Sequence, residues 1–171
     1  MLAATKLECT RGGHVLFTDL NFSVKSGELL QIHGPNGSGK TSLLRMLCGL
    51  TQPSVGKITW NDSNIRSLGE QYYSCLTYLG HMIGIKDDLT AVENLSISCA
   101  LAGLEVDNKM ALEALQQIGL KGRENLLARV LSQGQRRRVS LARLLLVKTK
   151  LWILDEPLTA LDVAAIKLIK E

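Results

Sequence analysis

The spacing of apolar residues along this chain changes several times, and each change marks an element. Leu20-Asn21-Phe22-Ser23-Val24 alternates apolar and polar side chains, the period of a half-buried strand. Lys25-Ser26-Gly27-Glu28 predicts a turn, and Leu29-Leu30-Gln31-Ile32 a second strand. Ser42 to Leu47 reads as an amphipathic helix, with Gly49 and Pro53 marking the break after it. Val55 to Trp60 predicts another strand, Ile58 and Trp60 on one face, closed by an Asn61-Asp62 turn. From Leu89 the period lengthens. Thr90 and Glu93 form a capping box, and Val92, Leu95, Ile97 and Cys99 through Leu101 predict a buried helix. A second helix is expected near 108–118, with Met110, Leu112 and Leu115 apolar. A third follows Ser132, from Arg136 to about Lys148. Leu151-Trp152-Ile153-Leu154 is a continuous apolar run, as in a parallel strand buried on both faces, and Val163–Lys170 reads as a last helix. The order predicts one α/β domain over 1–171, with a mostly helical subdomain inserted at approximately 86–135.

Composition adds little but excludes much. The chain has 171 residues, 46% apolar, with a net charge of +4, which fits an ordinary globular domain. Arg136-Arg137-Arg138 is the densest basic run; no aromatic residues interleave with it, so a solvated helix face is expected rather than a nucleic-acid site. Cys9, Cys48, Cys75 and Cys99 contain no C-x-x-C pair, which argues against zinc or a redox motif and suits a reducing cytosol. The N-terminus lacks the apolar core of a signal peptide, and no apolar run approaches the ~18 residues that span a bilayer. The expectation is a cytoplasmic protein whose membrane role comes through a partner.

The chemistry is carried by Gly34-Pro35-Asn36-Gly37-Ser38-Gly39-Lys40-Thr41, between a predicted strand and a predicted helix. This is a phosphate-binding loop. Its glycines let backbone N–H groups turn inward on an anion, and the helix start adds partial positive charge. Lys40 would reach the β- and γ-phosphates of a nucleoside triphosphate, and the Thr41 hydroxyl would ligate Mg²⁺. Asp155 and Glu156 follow the last predicted strand, where a doubly wound sheet concentrates its chemistry. One acid suits a Mg²⁺-associated role and the other the orientation of an attacking water. Ser132 is a good N-cap and Gly134 permits close backbone approach.

In that order, Gly34–Thr41, Leu131-Ser132-Gln133-Gly134-Gln135, Leu151–Glu156 and Thr159-Ala160-Leu161-Asp162 resemble the Walker A, signature, Walker B and D-loop motifs of the ABC ATPase family. The resemblance covers nearly the whole chain. It implies a P-loop NTPase cassette with antiparallel β and helical subdomains, working as a head-to-tail dimer with ATP between the Walker motifs of one subunit and the signature of the other. Glu156 would be the general base, Asp155 the Mg²⁺ acid, Ser132, Gly134 and Gln135 the contacts to the partner's nucleotide, and Asp162 a residue at the seam. Tyr78-Leu79-Gly80-His81, Gly84-Ile85-Lys86 and Leu89 to Leu95 are similar to the ATP-binding subunits of bacterial heme exporters of cytochrome c maturation. That implies a peripheral subunit on the cytoplasmic face of the inner membrane, docked on integral transporter subunits, which hydrolyses ATP for heme export or heme-chaperone release. Another exporter's cassette, a soluble ABC protein acting on nucleic acid or ribosomes, and a binding-only regulator remain alternatives. The chain has neither the coiled-coil insertion nor the tandem cassettes usual in the soluble class, so no nucleic-acid partner is expected.

Four departures from the family pattern stand out. His81 occupies the position where glutamine usually senses Mg²⁺ and water, which makes it a candidate catalytic residue. Gln133 replaces a glycine of the signature. No aromatic residue near Cys9–Gly12 offers an adenine stack, although Arg11 has a flat guanidinium there. The sequence stops at Glu171, before the family's next core strand and switch histidine; a truncated gene or fragment is expected, with a naturally shortened cassette as the alternative, and reduced stability and poor turnover with it. His33 reads as a strand-end residue, and His14 gives no site signal.

Overall fold

The computed structural model describes residues 1–82 and 84–157. Their element order is β1 (Leu2–Arg11), β2 (His14–Val24), α1 (Lys40–Leu47), β3 (Val55–Trp60), β4 (Ser63–Asn64), α2 (Ile65–Leu68), α3 (Glu70–Tyr73), β5 (Leu76–Leu79), α4 (Ala91–Leu101), α5 (Asn108–Gln117), α6 (Gln133–Ala142) and β6 (Leu151–Leu154). The predicted Asp162 site and Val163–Lys170 helix lie outside the described residues. The chain divides into two compact units: Met1–Tyr78 with Lys150–Ile153, and Leu79–Thr149 with the described residues from Leu154.

In the first unit an antiparallel sheet has the order β2-β1-β3-β4. The β3–β4 hairpin turns at Asn61 and Asp62, both at positive φ, as a two-residue reversal requires. Gly56 has φ +91, and a Cβ there would lie 2.3 Å from the Lys6 carbonyl, so only glycine lets β3 approach the irregular stretch of β1 between Thr5 and Glu8. Leu7, Leu43, Met46, Leu47, Ile58 and Tyr72 form its core. The buried Tyr72 hydroxyl donates to the Leu47 carbonyl, and desolvation pushes its pKa well above the ordinary phenol value.

In the second unit α4, α5 and α6 converge on Leu95, Leu115, Leu120, Val139 and Leu141. Asn94, buried on α4, donates through Nδ2 to the carbonyls of Lys86, Leu89 and Thr90 and accepts from the Lys86 N–H at 2.7 Å. Its amide holds the loop that enters the helix. Backbone bonds from Ala91 to Leu126, Val92 to Glu124 and Ala128 to Leu89 close that loop on the 124–128 segment.

Several sequence expectations are corrected. Leu29–Ile32 joins no strand ladder, and Leu29 is 87% exposed. An apolar run becomes a strand only where a neighbour takes its N–H and C=O groups, and no described segment does so. On α4, Ala91, Val92, Asn94, Leu95 and Cys99 share the buried face, whereas Ile97 and Leu101 point away and are exposed, because the helical period separates them by about half a turn. In β6 only Ile153 is fully buried and Trp152 is exposed. Among the described residues β6 pairs only with β5, in the parallel sense given by Leu151 N to Cys75 O and Asp155 N to Leu79 O. The third helix starts three residues earlier than expected, at Gln133, and tightens into a 3₁₀ turn at Arg143–Leu145. Among the described residues β1, β4, α2, α3 and β5 have no counterpart in the sequence reading.

Candidate active site

The Gly34–Thr41 loop leads directly into α1. Gly39, the residue before the helix, has φ +95; a Cβ there would meet the Phe17 ring at 3.1 Å and Leu16 at 3.2 Å. Glycine is therefore required for both conformation and clearance. No side chain caps α1, and its first turn carries no acid. The helix start keeps its N–H groups and positive partial charge for an external anion. Lys40 Nζ donates to the carbonyls of Gly34 (2.9 Å) and Pro35 (3.0 Å), folding back across the loop it serves. Thr41 is exposed, with its hydroxyl beside that helix start. His33 is exposed in the segment before the loop, which is not a strand.

At the end of β6, Asp155 is 3% exposed and its N–H donates to the Leu79 carbonyl at 2.8 Å. Its Oδ2 is buried with no hydrogen-bond partner among the described residues. A buried carboxylate oxygen left over by the protein fits a hydrated cation, the chemistry expected of a Mg²⁺-associated acid. Glu156 is half exposed and has φ +50. A non-glycine residue in that region carries about 1–2 kcal/mol of strain. Its Oε2 lies 3.6 Å from His81 Nδ1. The structure thus places His81 beside Glu156.

Arg137 was expected on a solvated face, and this is wrong. It is only 6% exposed, and it donates from Nη1 to Gly80 O (3.1 Å) and from Nη2 to Asp155 O (2.7 Å) and Glu156 O (3.0 Å). Desolvation lowers its pKa, opposed by the negative charges of Asp155 and Glu156. Its neighbours are engaged too: Arg136 with Asp87 at 2.7 Å, Arg138 with the Gly119 carbonyl at 3.3 Å. Successive helical residues point about 100° apart, so a triple-arginine run cannot occupy one face. That geometry was the signal available in the sequence.

Ser132 caps α6: Gln135 N donates to Ser132 Oγ (3.2 Å) and Ser132 N donates to Gln135 Oε1 (3.0 Å). Gln135, expected to contact nucleotide, thus spends its amide oxygen on the cap. Ser132 and Gln133 are exposed and Gly134 is half-buried. Among the described residues no cluster of metal-ligating side chains occurs.

A family model for ABC transporters matches residues 17–159. The cytochrome c biogenesis ATP-binding export protein CcmA of Nitrosomonas europaea is 69% identical over 99% of this chain and 80% of its own length. The chain belongs to the ABC transporter family, in its CcmA group. This ABC cassette superimposes on a Pyrococcus furiosus protein described as an ABC transporter ATP-binding protein with a TM-score of 0.86, at 26% identity, over 99% of this chain and 82% of that one. A bacterial ABC transporter cassette solved as a dimer shares the fold, with a TM-score of 0.82 at 24% identity over 99% and 82% of the two chains. Membership makes the chain an ATP-binding transport ATPase. No helix among the described residues is long and apolar enough to cross a membrane.

Proposed function

We propose that this cassette hydrolyses ATP to drive an export step of cytochrome c biogenesis, moving heme or releasing a heme–chaperone complex. The transport assignment draws on the 69% identity to a cytochrome c biogenesis export protein. The chemical assignment rests on one observation: an exposed glutamate, held in a strained conformation beside a buried acid, with a histidine 3.6 Å away.

In this reading the Gly34–Thr41 backbone cradles the phosphates, and Lys40 exchanges its two loop carbonyls for phosphate oxygens. Thr41 and Asp155 are the residues that would hold Mg²⁺, which when bound offsets charge on the phosphates. Glu156 accepts the proton of the attacking water, and His81 orients Glu156 or that water through its ring nitrogens. Ser132 serves the nucleotide of a second cassette: its oxygen accepts from Gln135 N, which leaves its O–H to donate to a γ-phosphate. The helical subdomain and the homodimer belong to this reading, as does docking on integral subunits at the cytoplasmic face of the inner membrane.

The test is phosphate release by the full-length protein with its membrane subunits. Glu156→Gln is expected to keep ATP affinity, lower turnover by about 10²-fold or more, and favour a closed dimer. Full turnover in that variant would remove Glu156 as the base. Co-purification of integral membrane subunits is the matching test of the transport assignment, and its failure would overturn it.

A further inference from the structure

We infer that Arg137 is a positioning residue for hydrolysis, a single guanidinium that sets the backbone of Glu156 and of the residue before His81. The inference rests on Glu156 being the base. The two peptide planes flanking the Glu156 Cα carry the carbonyls of Asp155 and Glu156, and Nη2 of Arg137 bonds both, at 2.7 and 3.0 Å. Holding both planes fixes φ and ψ between them, and φ at this residue is +50. That conformation persists only where its surroundings over-determine it. Nη1 meanwhile holds the Gly80 carbonyl at 3.1 Å, on the peptide plane that leads into His81.

Among the described residues all of Arg137's hydrogen bonds go to backbone carbonyls, none to a carboxylate. The clamp acts on the backbone of Glu156, through the two carbonyls, rather than on its carboxylate. A buried guanidinium is costly, and its Nε finds no partner among the described residues. Lysine could not substitute: one ammonium cannot fork between Gly80 and the acid pair as a planar guanidinium does. Arg137 stands on α6, five residues past the Ser132 cap. A shift of that helix is therefore transmitted to the base through the same three bonds.

The experiment compares Arg137→Lys, Arg137→Met, Glu156→Gln and the Arg137→Lys/Glu156→Gln double variant in the full-length protein with its membrane subunits. Fluorescent-ATP titration, thermal melting and single-turnover phosphate release are measured for each. Arg137→Lys should lower kcat roughly tenfold, and Arg137→Met about 10²-fold, with ATP affinity unchanged, as expected for a misplaced reacting group. In the Glu156→Gln background Arg137→Lys should change the residual rate less than about twofold, because its effect passes through Glu156. A merely structural arginine would instead lower the rate by the same factor in both backgrounds, and that result would overturn the clamp. Wild-type kcat in Arg137→Lys beside an inactive Glu156→Gln would also overturn it. If Arg137→Met fails to fold, the lysine variant and its double-mutant cycle decide. Full turnover in Glu156→Gln sinks the base assignment instead, and that failure is distinct.

Discussion

Helices α1 and α6 both begin at residues proposed to face phosphate, but their N-termini are built in opposite ways. The α1 start is open, with glycine before it, no side-chain cap, and Lys40 folded onto nearby carbonyls. The α6 start is closed by its own capping box between Ser132 and Gln135. An open start holds its N–H groups in reserve and suits a ligand that occupies them directly. A closed start is already satisfied, so only the spare Ser132 O–H can reach outward. Helix α4 makes the control: Thr90 and Glu93 form the same box with no proposed ligand. The same local motif therefore serves folding in one helix and, by our reading, both folding and nucleotide contact in the other.

The sharpest way to break this contrast is Lys40→Ala. It removes a charged donor from the open start and should weaken ATP binding about 10²-fold in a fluorescent-nucleotide titration, with little change in melting. Unchanged affinity would mean the α1 start is not the nucleotide site. Gly39→Ala is expected to destabilise the first unit by about 1–3 kcal/mol, because alanine must adopt positive φ against the Phe17 ring. A neutral denaturant melt would show that the loop relaxes around a Cβ.

Ser132→Ala and Thr90→Ala form a matched pair. Each should cost about 1 kcal/mol in chemical denaturation as a cap is lost. Only Ser132→Ala should also lower phosphate release, and equal turnover in the two would reduce Ser132 to a cap. The smallest effect separates the boxes by pH. Hydrogen bonds from the Thr90 backbone, and then from its hydroxyl, hold the Glu93 carboxyl below its ordinary range. A depressed acid contributes stability above its unfolded pKa, about 4.3, and loses it as pH falls through the lower folded value. The α4 box should therefore weaken below about pH 4, while the α6 box, closed by the non-ionising Gln135, should not. Melts of the matched pair and the parent between pH 6 and pH 3 would show it: the Thr90→Ala deficit should shrink in acid and the Ser132→Ala deficit persist.

Much of the architecture was legible because it is local. The Thr90–Glu93 and Ser132 caps, the Asn61-Asp62 turn and the Val55–Trp60 strand each depend on residues a few positions apart, and each stands as the sequence implied. The glycines of the phosphate loop likewise act on their own backbone. What the sequence misjudged depends on lateral neighbours. Leu29–Ile32 reads like Leu151–Leu154, yet only the latter finds a strand to pair with among the described residues. Ile97 and Leu101 are as apolar as Leu95, and only the packing of α5 and α6 selects which face of α4 is buried.

The sequence by itself therefore determined the glycine loop that leads into α1, the helix caps and the family, since those rest on residue types at short, fixed spacing. Only the tertiary structure decided how Glu156, the proposed base, is held. His81, Arg137 and Glu156 are far apart along the chain, and no periodicity announces that one arginine will bond the carbonyls of Gly80, Asp155 and Glu156. A carbonyl carries no side-chain identity, so a clamp made of carbonyls leaves no pattern in the sequence to read. Its trace appears only when the fold buries the arginine against them.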